Sequence, residues 1–152
     1  MKSVRIAAAV VLAAAALTGC SATNPIQTRV VYAASDGARI VLGDSIEAKN
    51  LLVLTAAQGE AGALIGAVTN RGSQDTVVTI DVVGAGRHEV PLAAGESFRF
   101  VGEDVVRFDA VDASPGSTTA ITVSSPSSGA VSATVPVLDG TLPEYAEVLA
   151  GL

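Results

Sequence analysis

Residues 76–83 read TVVTIDVV. Seven of these eight side chains are β-branched, which suits a pleated, half-buried surface and disfavours a helix. Alternation puts Val78, Ile80 and Val82 on one face and Val77, Thr79, Asp81 and Val83 on the other. The first set is uniformly apolar and predicts the core side of a strand. Working outward, the same kind of short run recurs at Arg39–Leu42, Ile46–Leu54 and Ala63–Thr69 before it. After it come His88–Leu92, Ser97–Val101, Val105–Val111, Thr119–Val123 and Ala130–Val137. Turn clusters such as Asn70-Arg71-Gly72-Ser73 and Gly84-Ala85-Gly86 separate them. Strands at this spacing, with no helix-period segment between them, predict an all-β sandwich or barrel of about seven to nine strands over residues 35–138.

Two stretches refine this outline. In PLAAGESFRF, residues 91–100, Pro91 ends a strand and Ala93–Glu96 turn, with Gly95 at positive φ. Phe98 and Phe100 return on one face and predict core packing. In LPEYAEVLAGL, residues 142–152, Pro143 suits a first helical position and Gly151 a C-cap. Residues 139–152 are thus expected to form a tail or a short helix, with Leu142, Tyr145, Val148 and Leu149 as its apolar stripe. A helix so short must dock to persist.

The N-terminus reads as an address. Lys2 and Arg5 precede an uninterrupted apolar run, Ile6–Leu17. Its twelve residues are too few to span a bilayer, which takes about 20, and match a signal-peptide core. Leu17-Thr18-Gly19-Cys20 follows, with the only cysteine of the 152 residues. It resembles the lipobox of bacterial lipoproteins. The resemblance implies a signal peptide over 1–19, cleavage before Cys20 and a lipid on its thiol. A diacyl anchor of this kind gives a stable membrane attachment. Ser21–Ala34, with Asn24-Pro25, reads as a flexible tether. A disulfide or zinc site through Cys20 has no second thiol to draw on.

After loss of residues 1–19, seven Lys and Arg face fifteen Asp and Glu, a net charge of −8. That balance argues against nucleic acid and against electrostatic docking on an anionic membrane, leaving the lipid to hold the chain there. There is no Trp, and the five aromatics are Tyr32, Phe98, Phe100, Phe108 and Tyr145. The core must therefore be built mainly from Val, Ile, Leu and Ala.

Gly62–Ile80, GALIGAVTNRGSQDTVVTI, places a glycine, an apolar strand, an Asn-x-Gly turn and a second strand in order. Glu89–Val137 adds the Pro-Leu-x-x-Gly turn, a strand pair, a Gly-containing loop and a hairpin ending Val135-Pro136-Val137. This order resembles the periplasmic copper chaperones of the PCu(A)C type, and still more the actinobacterial envelope lipoproteins of the LpqE type. The resemblance covers about Ala38–Val137 and implies a cupredoxin-like or immunoglobulin-like sandwich. The chaperones are understood to hold Cu(I) with paired His and Met, soft-metal chemistry. Here the only Met is Met1 and the only His is His88. Val105-Val106-Arg107-Phe108-Asp109 stands where the family carries a His-x-Met pair. No metal and no cofactor is expected on these grounds. His88 is the single ligand the resemblance leaves, and a strand-edge histidine beside Glu89 is its default reading.

No catalytic constellation is present. There is no Gly-x-Ser-x-Gly elbow, no phosphate-binding loop and no credible triad around one histidine. Glu103, Asp104, Asp109 and Asp112 lack the spacing of a calcium loop and read as solvated charges. The expectation is a non-enzymatic, lipid-anchored envelope lipoprotein that presents its sandwich to an envelope protein or serves a structural role. A copper-type metallochaperone with altered ligands is the alternative.

Overall fold

A computed structural model describes residues 35–152. The signal segment, Cys20 and the tether lie outside them. Nine strands follow in chain order: β1 (Ala38–Leu42), β2 (Ile46–Thr55), β3 (Gly62–Asn70), β4 (Thr76–Val82), β5 (Gly86–Leu92), β6 (Ser97–Phe100), β7 (Val106–Phe108), β8 (Thr118–Ser125) and β9 (Gly129–Leu138). Among the described residues one α-helix, α1 (Pro143–Ala150), follows β9. One sheet runs β5-β4-β8-β9. The other centres on the β2–β3 pair, with β1 beside β2 and with β6 and β7 beside β3. A short parallel contact, Val53 with Val137 and Leu54 with Leu138, joins the sheets along one side. The result is the expected cupredoxin-like β-sandwich.

The alternation in residues 76–83 holds. Val78, Ile80 and Val82 are fully buried and pack with Val90, Leu92, Ile121, Val123, Val135 and Val137. The facing sheet contributes Ile40, Leu42, Ile46, Leu51, Val53, Leu64, Val68, Phe100, Val106 and Phe108. Phe98 and Phe100 share a face as predicted, ring centroids 5.5 Å apart and planes tilted 59°, a favourable aromatic geometry.

β2 contains a feature that alternation hides. Its register with β3 shifts between Lys49 and Leu52, and Asn50 lies at φ 53°. This bulge inserts one residue and reverses which later side chains face outward. Leu51 and Val53 face the core, whereas Leu52 and Leu54 face out and are still fully buried. α1 packs against β2 and β3 on that outer side. The helix starts with Pro143 in its first turn and is capped at Gly151. Tyr145, Val148 and Leu149 are half-buried, and Leu142, expected in the same stripe, is exposed. Tyr145 donates its hydroxyl to Asp36 Oδ2 at 2.8 Å. Burial, then the Asp36 carboxylate, push its phenol up to about 12.

Two boundaries differ from the sequence reading. Val105–Val111 reads as one strand, but only Val106–Phe108 pairs, because β3 begins at Gly62 and offers no further partner. Val111 bonds instead to the β2–β3 turn, through Glu60 O and the Gly59 amide. Pro91 does not end β5. It sits one residue inside, and β5 is the last strand of its sheet, so no ladder hydrogen bond is lost there.

Candidate functional site

His88 stands opposite Ile80 in the β4–β5 ladder. Directly opposed residues share a face, so the imidazole is on the inner side of the outermost strand, half-buried. Glu89 pairs with Thr79 and faces the other way; pleating separates the two side chains, and Glu89 is not the neighbour the sequence suggests. Gly86, two residues before His88 on the same face, lies against the Phe108 ring, which a Cβ at Gly86 would approach to 3.7 Å. The histidine therefore belongs to the seam between the sheets. Among the described residues, no group of three or more His, Cys, Asp or Glu converges. Glu103 and Asp104 occupy an exposed turn, and Asp109 and Asp112 are exposed in the loop after β7.

An open groove of about 770 Å³ lies at the end of the sandwich where the β1–β2, β3–β4, β5–β6 and β8–β9 turns meet. That volume is in the range of ligand pockets. Its walls carry Ser45, Gln74, Asp75, Glu96, Ser127 and Ser128, with no aromatic side chain. Asn70 holds it together. It reads from the sequence as part of a turn, but it ends β3 fully buried. Its amide donates to Gln74 O at 2.7 Å and Ala93 O at 3.0 Å, and its Oδ1 accepts from Gly72 N at 2.9 Å. One side chain thus fastens the β3–β4 turn to the β5–β6 turn. The acids of the groove are engaged too: Asp75 accepts from Ala94 N and Glu96 from Ala93 N.

A third site, on the outer face of the β2–β3 sheet, has no counterpart in the sequence reading. Glu47 is buried, its side chain 3% exposed, beneath three cations. Arg39 Nε donates to Oε1 at 2.6 Å. Lys49 Nζ lies 3.3 Å from Oε2, and the Arg71 guanidinium is beside the same oxygen, in ion-pair range though neither makes a well-directed hydrogen bond. Burial pushes the carboxyl up. The Arg39 bond, the Lys49 ammonium and the Arg71 charge outweigh it and hold the group below its ordinary value. The one available signal was the spacing Arg39, Glu47, Lys49, all at outward positions of neighbouring strands.

No protein-family model matches the chain, and no curated protein matches it in sequence. Solved structures do match in shape. The copper-bound PCuAC domain from PmoF2 superposes with a TM-score of 0.52 at 16% identity, covering 67% of this chain and 98% of that domain. The apo PCuAC domain from PmoF1 superposes with a TM-score of 0.52 at 13% identity, covering 66% and 98%. The nine-stranded sandwich of this chain is therefore the fold of the PCuAC domains.

Proposed function

We propose that this chain is a non-enzymatic envelope protein whose sandwich handles a metal of the copper type with a donor set different from that of the chaperones. The likeness to a copper-bound domain is the observation that carries this reading, and it favours metal handling over protein binding or a structural role. His88 is the nitrogen donor the fold offers. Half-burial at the seam keeps an imidazole accessible while limiting its hydration. A lone imidazole is a sparse site for a soft ion, so the affinity expected is well below that of a His/Met set. The test is a Cu(I) titration of the Cys20→Ser chain against a competing chelator, which removes the thiol that would otherwise bind. One-to-one binding lost in His88→Ala is the expected result. No competition with the chelator sinks metal handling and leaves the sandwich as a protein-binding or structural module.

We also propose that the chain is an actinobacterial LpqE-type lipoprotein, held on the outer face of the cell membrane by a lipid on Cys20. The lipobox Leu17-Thr18-Gly19-Cys20 and the charged, apolar leader support this reading. Intact mass of the protein from native membranes is expected to show a chain beginning at Cys20 with two or three acyl groups. A chain beginning at Ser21 or later, without acyl mass, rules it out.

A further inference from the structure

Six Lys and Arg lie within residues 35–152, and four of them gather at one place. The strand registers give the plan. Glu47 of β2 pairs with Thr69 of β3, which pairs with Ser97 of β6. One row further along the outer face, Lys49 pairs with Ala67, which pairs with Arg99. Lys49 and Arg99 thus stand two strand spacings apart, about 10 Å, with only the methyl of Ala67 between them. Arg39 and Arg71 close the side beyond Glu47. Thr69 Oγ1 and Ser97 Oγ, 2.9 Å apart, form a hydroxyl pair in the neighbouring row. The result is a shallow trough with a floor of small side chains and cationic walls.

The charges in the trough do not cancel. Four cations meet one carboxylate, an excess of three positive charges, and no other acid occupies the outward positions of these strand segments. Arg39, Lys49 and Arg71 are each about half exposed even while paired to Glu47. Arg99 is exposed and makes no ion pair among the described residues. Glu47 draws three of the cations inward from below, which orders their side chains before any ligand arrives. Planar guanidinium forks match tetrahedral oxyanions, and hydrogen bonds between ionised partners are the strong ones.

We propose that this trough binds a phosphate group, seated over Ala67 between Lys49 and Arg99 with Arg71 and the Thr69–Ser97 hydroxyls beside it. An excess of three positive charges suits a phosphate, either the monoanionic diester of a lipid headgroup or the more highly charged free ion. The phosphate can come from a lipid headgroup or from a free phosphate, and the site is independent of the metal reading above.

Lys49 reports on the site directly, because the only other lysine of the chain is Lys2. The full chain, in vesicles of phosphatidylcholine, is acylated with an amine-reactive ester, and the rate at Lys49 is followed by peptide mass spectrometry. The baseline is sodium chloride. One arm substitutes inorganic phosphate at the same ionic strength, and a second replaces part of the phosphatidylcholine with phosphatidylglycerol. Several-fold slower labelling at Lys49 in either arm is expected, with the protection lost in Arg99→Gln, a change that leaves the Glu47 cluster intact. Protection in the phosphate arm identifies a free phosphate as sufficient. Protection only with phosphatidylglycerol assigns the group to a headgroup. Equal rates in all three conditions overturn the proposal, as does protection that survives Arg99→Gln.

Discussion

Phe100→Ala is expected to destabilise the protein by about 3–5 kcal/mol, the range for truncating a fully buried aromatic. Phe100 has no exposed surface and lies in the central cluster. It stands opposite Gly66 on β3, so the ring fills space that no β3 side chain occupies. Apart from Phe108 and the rim ring of Phe98, the core is made of Val, Ile, Leu and Ala, too short to refill the space, and a cavity remains. A domain of this size has a total stability of roughly 5–15 kcal/mol, so the variant retains only part of it. Urea unfolding measures the loss. Phe98→Ala is the internal comparison, because Phe98 is only half-buried and packs at the rim of the same cluster. Equal losses at the two positions contradict this account of the core.

Gly66→Ala is expected to cost roughly 3 kcal/mol or more, an unusual amount for one methyl group. Gly66 lies at φ +137°, and a Cβ there would stand 2.8 Å from both Asn50 O and Lys49 O and 2.9 Å from Leu51 Cδ2. Two of those three atoms are backbone and cannot rotate away. The clash falls on the β2 bulge, so relief requires the bulge itself to move. Gly95→Ala separates strain from contact. Gly95 also has positive φ, +77°, with nothing within 4 Å of its would-be Cβ, so its cost is the backbone term alone, about 1 kcal/mol. Denaturation midpoints that fall together for the two variants exclude the steric explanation. Because the bulge sets Leu52 and Leu54 outward, Gly66→Ala should also loosen α1. Faster amide exchange in Pro143–Ala150 checks that link.

The elements with a two-residue period were legible from the sequence, and the reason is local. Val78, Ile80 and Val82 declare their face because each residue's alternative is solvent. Gly95 and Pro143 declare a turn and a helix start because their backbones permit little else. What sequence reasoning missed is non-local. The Asn50 bulge leaves no mark in IEAKNLLVL except two adjacent leucines, and only the helix above explains why both are buried. Asn70 reads as a turn residue because its partners, Leu92 and Ala93, come more than twenty positions later. Val105–Val111 has strand composition throughout, yet pairing stops when its partner strand does. The net charge of −8 pointed away from anionic partners, although four cations share one face; a sum over the chain carries no information about where its terms lie. The inward direction of His88 was equally hidden, since it depends on which neighbour β5 finds.

The hydrogen bond between Tyr145 and Asp36 ties the two ends of the described chain together. Asp36 is held by the terminal helix, and because Gly37 lies against Asn50 and Ala38 pairs with Leu51 it stands beside the second half of β2. The groove opens at the other end, beside Ile46. Along β2 the two lie some six residues apart, roughly 20 Å at strand rise. Both ends of the described chain are thus gathered away from the groove, and the four turns around Asn70 are left clear of them.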